Sequence, residues 1–326
     1  MNQFVNKVKT IAVKIQGMDT WKKLLLCVIL ITVFPLVINN GYILHILIIL
    51  GVYLVLGLTL NMITGVTGEL DLGHAAFYGL GAYASSLFAQ KIFNSFWAGM
   101  LIAFLFSMIC GILLGIPSLR IRGDYLAIVT MGFNEIVRYV MLNWQEVTNG
   151  PLGVSKIKAP VLFGVQLGSK QSMFYLIAVI LIITFFVMKQ INESKIGRAL
   201  VAVRENEIAA ASLGIHTGYY KIIAFAVSAA FAGVAGSFYA HYMSFINPNN
   251  FTTNDSILIL CMVVIGGKGS MLGTVIGVSI LYLLPECLRA LESYRMLIYG
   301  IMLVVMMIYR PKGFCPEKRV PRKREV

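Results

Sequence analysis

Ser194–His216 reads SKIGRALVAVRENEIAAASLGIH and stands between two apolar runs, Met173–Met188 and Tyr220–Tyr242. Each run is close to the length a helix needs to cross a bilayer core. The segment between them mixes charge (Lys195, Arg198, Arg204, Glu205, Glu207) with strong helix formers such as Ala199, Ala209 and Ala210. Gly214 follows as a helix stop. This is the largest polar break in the chain that carries both features. A short charged helix between two membrane spans is expected to dock a soluble partner.

The rest of the chain fits that frame. Of 326 residues, 58% are hydrophobic and only 13% charged, whereas soluble domains are about half apolar and about a quarter charged. So little charge cannot cover a globule. A β-barrel needs alternating segments of roughly ten residues, and runs such as Leu24–Leu36 do not alternate. The fold class expected is an all-α polytopic membrane protein, because helices satisfy their own backbone in lipid.

Long apolar spans are expected at Leu24–Asn39, Ile43–Met62, His74–Ala89, Trp97–Ile116, Tyr125–Leu142, Met173–Met188, Tyr220–Tyr242 and Tyr294–Ile308. Two shorter pieces, Ser256–Ile265 and Met271–Leu284, read as a hairpin split by Gly266–Ser270. The sum is roughly ten membrane-embedded helices in one transmembrane domain, 1–326. Within it, 1–23 is a basic segment, 194–216 the polar loop and 310–326 a basic tail.

The net charge of +13 suggests nucleic acid in a soluble protein. Here Lys and Arg concentrate at the two ends, at Arg120/Arg122, in Lys189–Lys221 and at Lys268, so the charge sets orientation and not nucleic-acid binding. It places both termini and the 194–216 loop in the cytoplasm. For that topology the Ser256–Leu284 hairpin must enter and leave by the outer side. Lys7 to Lys23 precede the first apolar run with no small-residue cleavage site after it, which reads as an uncleaved span. The five cysteines are scattered, with no metal or disulfide framework. The outer loops Asn143–Ser172 and Ser244–Asp255 read either as plain connections or as a docking rim for an external binding protein.

Asn61–Gly81, NMITGVTGELDLGHAAFYGLG, gathers five glycines with Glu69, Asp71 and His74. Gly permits non-helical backbone, and broken helices in membranes line cavities or paths. Gly266–Gly273 is a second interruption, and paired interruptions point to a transport route. The expected path residues are Asn61, Thr64, Thr67, Glu69, Asp71, His74, Thr130 and Glu135, with Glu135 and Arg138 on one helix face. Small-residue stripes, Ser228/Ala232/Gly236 and Ala229/Gly233/Ser237, suit close helix packing. For His74 and His241 a satisfied structural role is expected rather than a proton relay, His74 standing along the path. No catalytic or metal constellation is visible. No phosphate-binding loop is visible either, since Lys268 is followed by Gly269 and not Ser or Thr.

Taken together these residues resemble a family. Gly57–Asn61, Gly65–Gly68, Leu72–Phe77 and Gly81–Tyr83 are similar to the first signature of branched-chain amino-acid ABC permeases. Arg122–Ala127 with Thr130, and Thr148–Pro151 with Gly153, resemble the second. Ile196–Ala199, Arg204–Glu207, Ala224–Phe225 and Ala232–Gly236 resemble the third, and Ile265–Gly267 with Tyr309–Pro311 completes the order. The likeness is to the M-type permease of that family. Ala209-Ala210-x3-Gly214 resembles the core of the coupling loop in ABC import permeases, with Ile208 where an acidic residue usually stands and Glu207 one place early.

The resemblance implies an ABC importer permease fold and a translocation path for branched-chain or related hydrophobic amino acids. Its implied partners are a second permease, two cytoplasmic ATPases, an extracytoplasmic solute-binding protein and the lipid of a bacterial cytoplasmic membrane. The chain itself needs no cofactor, because ATP is hydrolysed by the partner subunits. The coupling residues it implies are Arg198, Arg204, Glu205, Glu207, Ala209, Ala210 and Gly214. Glu69 and Asp71 stand where relatives often carry neutral polar residues, which leaves urea or short amides as alternative solutes. An ion-coupled secondary transporter, and more remotely a lipid enzyme, are the readings from other classes.

Overall fold

The computed structural model describes residues 40–92, 95–121, 123–162 and 165–287, with 300, 304 and 313. The spans expected at Leu24–Asn39 and Tyr294–Ile308 (Gly300 and Val304 apart), the segments 1–23 and 310–326 (Gly313 apart), and Arg122 lie outside the described residues.

The long helices begin and end within a few residues of the apolar runs. They are α1 (Gly41–Leu60), α2 (His74–Lys91), α3 (Phe96–Ser118) and α4 (Asp124–Asn143). A four-residue helix, α5 (Gln145–Thr148), precedes α6 (Lys170–Glu193). The polar loop holds α7 (Lys195–Glu205) and α8 (Glu207–Ser212), and α9 (Thr217–Met243) follows. The hairpin is α10 (Thr253–Gly266) and α11 (Met271–Cys287). Side-chain caps set several starts. The Asn40 side chain accepts the Tyr42 N–H, that of Ser169 accepts Ser172 N–H, and Thr252 with Asp255 closes a capping box on α10.

Five of these helices are long and apolar enough to cross a membrane: α1 with its extension to Thr67, α3, α4, α6 and α9. The helix α2 is not among them. It is rich in Gly, Ala, Ser and Tyr because it packs between α9 and α3, where small residues serve better than bulky apolar ones. Eight apolar helices, counting α2, α10 and α11, are thus present among the described residues.

At the centre, α9 packs on α3, α2 and α1 through its small-residue stripes. The approach is backbone to backbone. A Cβ on Gly81 would lie 2.2 Å from the Gly233 carbonyl oxygen, and one on Gly233 would lie 2.3 Å from Ser107 Oγ. Without a hydrophobic drive between helices in lipid, such proximity supplies the association through dispersion contacts.

The bundle has two distinct ends. One carries Ser194–His216, the tip of the α10–α11 hairpin and the start of α9. At the other, β1 (Val154–Ser155) pairs antiparallel with β4 (Phe245–Ile246). A further pair, β2 (Val161–Leu162) with β3 (Val165–Gln166), adjoins them in sequence. The β1–β4 pairing, with Asn247 Nδ2 donating to Pro151 O at 2.8 Å, joins the Asn143–Ser172 and Ser244–Asp255 loops into one cap. Both open ends of the α10–α11 hairpin lie at this cap end, where the Tyr42 hydroxyl donates to Glu286 Oε1.

The backbone contact yields a paired prediction. Gly81→Ala forces atoms into the α9 backbone, an overpacking error that costs typically 1–3 kcal/mol. Gly132→Ala, where nothing lies within 4 Å, gains helix propensity of about 1 kcal/mol. Thermal unfolding in detergent should show Gly81→Ala several degrees below the parent and Gly132→Ala at or above it. Equal midpoints for the two variants would remove the close α2–α9 contact from the account.

Candidate functional site

The α1 helix does not end cleanly at Leu60. Asn61–Thr67 continues it as a π-helical turn, and Gly68 then turns left-handed at φ 81°. The chain runs without helix to His74, where α2 begins. Two glycines make this break possible. A Cβ on Gly65 would sit 2.2 Å from both Asn61 Oδ1 and the Gly269 nitrogen, and one on Gly68 would sit 2.6 Å from Arg204 Cγ. The Gly269 N–H donates to Asn61 Oδ1 at 2.8 Å. The two interruptions expected from the sequence therefore touch.

The polar loop is bolted to the same break. Arg204, near the end of α7, donates from Nη1 to the Gly65 carbonyl at 2.5 Å. Lys221, in the second turn of α9, is only 1% exposed. Its Nζ lies 2.7 Å from Glu69 Oε1 and 3.1 Å from Glu207 Oε2. One buried ammonium thus bridges a carboxylate of the broken helix and a carboxylate at the first residue of α8. Such a group persists only because it is paired on both sides. Glu69, 7% exposed, faces this ion cluster. Arg204 also pairs with Glu205 across 3.6 Å.

The remaining path residues divide between two places. Asp71 and His74 are fully buried. Asp71 Oδ1 accepts the Gly73 N–H at 2.8 Å, and its Oδ2 meets His74 Nδ1 at 3.3 Å. His74 Nε2 reaches Thr59 Oγ1 at 2.9 Å, so both ring nitrogens are held. His241 is held likewise, by Ser85 and the Lys158 carbonyl. Thr130 on α4 accepts the Leu72 N–H at 2.9 Å and pins the non-helical stretch from the side. Thr67 Oγ1 donates to the Met62 carbonyl, while the buried Thr64 hydroxyl has no partner.

Glu135 is elsewhere. It accepts from Arg138 Nε at 2.9 Å and from Thr253 Oγ1 at 2.6 Å, toward the capped end of the bundle. The neighbouring Asn134 Nδ2 donates to the same threonine, and its Oδ1 is buried without a partner.

The loop itself is two helices and not one. The Asn206 side chain accepts the Ala209 N–H and caps α8, so Glu205 ends α7 and Glu207 opens α8. Gly214, at φ 82°, closes the segment as expected. Ala210 is buried and Ala209 exposed. Arg198 is exposed and donates to the Glu193 carbonyl, a local contact. Ile208 and Leu213 project from this charged surface at 72% and 82% exposure. Beside them Gly214, His216 and Tyr219 border an open groove of about 560 Å³.

Two features escaped the sequence reading. Lys221 was visible as a lysine followed at once by Ile222, Ile223 and Ala224 inside an apolar span. A charge there is a functional hypothesis by default. The second is a cavity of about 320 Å³ near the capped end, lined in part by Tyr53, Tyr78, Tyr239 and Tyr282. None of the expected path residues lines it.

Comparison with known proteins follows the same outline. Residues 42–307 match the family described as the permease component of branched-chain amino acid transport systems. The chain is 38% identical over 340 residues to the high-affinity branched-chain amino acid transport system permease protein LivM of Escherichia coli K12, covering 97% of this chain and 80% of that one. It is 24% identical to a probable LivM permease of Methanocaldococcus jannaschii, over 85% of this chain and 94% of that one. It is also 24% identical to the ribose import permease RbsC of Haemophilus influenzae, over 70% and 72% of the two chains. No solved structure matches.

The ion cluster makes a stability prediction. Lys221→Met leaves two carboxylates facing each other without their cation, a loss on the order of 3–5 kcal/mol for a buried pair. Adding Glu69→Gln and Glu207→Gln to that variant should restore most of the thermal midpoint in detergent. A single Lys221→Met variant as stable as the parent would mean that the cluster carries no structural weight.

Proposed function

The chain belongs to the family of permease components of branched-chain amino acid transport systems, and from that premise we propose that it builds one half of the conduit of an ATP-driven importer. Its solutes are branched-chain or closely related aliphatic amino acids. It is a multi-pass membrane transport subunit, and ATP is hydrolysed on two separate cytoplasmic subunits. A second permease completes the conduit, and an extracytoplasmic binding protein delivers the solute. The membrane is the bacterial cytoplasmic membrane, with both termini and Ser194–His216 on the inner side.

The observation that carries this reading is the double attachment of the polar loop to the broken helix, through Lys221 and through Arg204. A force applied to α8 by a docked ATPase enters Glu207 and passes through the Lys221 ammonium to Glu69. The Arg204 guanidinium delivers the same displacement to the Gly65 carbonyl. The break is the soft element, because its backbone is non-helical between Gly68 and His74. Asn61 extends the motion to the hairpin tip at Gly269. Exposed Ile208, Leu213 and Tyr219 supply apolar contact for the ATPase on an otherwise charged surface. The strand-paired cap, with Trp144, Leu152 and Phe245 exposed, offers the binding protein a rigid rim.

Leu213→Asp and Ile208→Asp test this without touching the core, since both side chains point into solvent. In membranes containing the assembled importer, each should lower labelled leucine uptake at least tenfold while insertion and thermal midpoint stay unchanged. In the parent, excess isoleucine should compete with uptake and excess urea should not. Full uptake in both variants would remove this surface from the mechanism. Uptake driven by a proton or sodium gradient through the isolated chain would replace the proposal with a secondary transporter.

A further inference from the structure

The cavity near the capped end has a composition that the coupling mechanism does not use. Its volume of about 320 Å³ falls in the range of small-molecule sites, about 300–1,000 Å³. One wall is a single face of α1, where His45, Ile49, Tyr53 and Leu56 recur at helical spacing. Across from it stand Tyr78 of α2, Tyr239 and Met243 of α9, and Tyr282 of α11. The rim is polar, formed by Asn249 and Asn250 of a short turn and Asp255 in the first turn of α10.

The side chains are held in place before any ligand arrives. The rings of Tyr53 and Tyr282 lie 5.3 Å apart, and those of Tyr78 and Tyr239 lie 5.4 Å apart. Asn250 Nδ2 donates to the Tyr239 hydroxyl at 3.1 Å. Asp255 Oδ2 accepts from the Thr252 N–H and hydroxyl, which fixes its carboxylate at the rim. His45 Nδ1 contacts the Tyr242 hydroxyl at 2.6 Å. Asn249 is tied through Arg138 to Glu135, so the one expected path residue remote from the break sits just behind this rim.

We propose that this cavity is an intra-subunit binding site for a zwitterionic aliphatic amino acid, a way-station inside the permease on the binding-protein side. The solute class rests on the function proposed above, and the site rests on the cavity. Three parts of the wall answer three parts of the ligand. The Asp255 carboxylate and the tyrosine faces attract an ammonium group. The amides of Asn249 and Asn250 present N–H donors suited to a carboxylate. Ile49, Leu56 and Ile259 receive a branched side chain and exclude water from it. Neutral amides lack the ammonium that Asp255 selects, so the cavity disfavours them.

The test is equilibrium binding of labelled leucine to the full chain in nanodiscs, without the binding protein. Unlabelled 4-methylpentanoate, which lacks the ammonium, and isoamylamine, which lacks the carboxylate, serve as competitors. Leucine should bind saturably and at least tenfold more tightly than either fragment. Asp255→Asn keeps an acceptor for the α10 cap and should weaken leucine binding at least tenfold. Ile49→Trp should fill the cavity and abolish binding with the thermal midpoint kept. No saturable binding to the parent, or binding that both variants leave unchanged, overturns the site. Leucine uptake by the assembled importer is measured alongside. Uptake without cavity binding overturns the site and keeps the importer reading. Cavity binding without uptake does the reverse.

Discussion

A lysine that is 1% exposed needs a counter-charge, and Lys221 has two from distant parts of the chain. That requirement fixes how the bundle is joined. Glu69 must stay next to the base of α9, which forces the chain after Thr67 to leave the helical path and fold back. Glu207 must stay there too, which holds α8 against the bundle. A short helix on a long loop would otherwise swing freely; here it is tied to the membrane-embedded part by an ion contact that costs more to break than an exposed pair does. The Arg204 hydrogen bond to Gly65 gives the same joint a second anchor, so the connection resists rotation as well as separation.

The joint functions only because α9 is itself stiff. Its small-residue stripes let α2 and α3 close on it at backbone distance, which gives Lys221 a well-supported place in the N-terminal turns of α9. At the far end the same helix contributes Tyr239 and Met243 to the aromatic cavity. One helix therefore runs from the charged joint to the candidate ligand chamber. The broken segment and the α10–α11 tip, linked by Asn61 and Gly269, stand beside that axis and interrupt regular α-helical hydrogen bonding. A rigid axis next to a pliable break is the arrangement a gated conduit requires.

Much of this was legible in the residues. The apolar runs were unambiguous, and the helices found for them, Phe96–Ser118 against an expected Trp97–Ile116 for example, extend them by only a few residues. The glycine clusters marked both interruptions, because no other residue allows those backbone approaches. The split of the polar loop at Asn206 was missed although its signal was present, an N-cap residue followed directly by Glu207. The partners of Glu69 were not legible. Periodicity reports which face of a helix is apolar, and nothing local says that a lysine on α9 meets a carboxylate after α1. The cavity was hidden for the same reason. Its tyrosines come one from each of four helices, and in each helix they look like ordinary apolar lining.

The central claim is that α8 and the break after α1 move as one body. Spin labels at Ser212 and Leu70, in an assembled importer, measure this directly by pulsed electron resonance. The account predicts a single distance distribution that stays unchanged when ATP is added and turned over. A distance that shifts on ATP binding while solute is still transported would show that the loop moves independently of the break, and would contradict it.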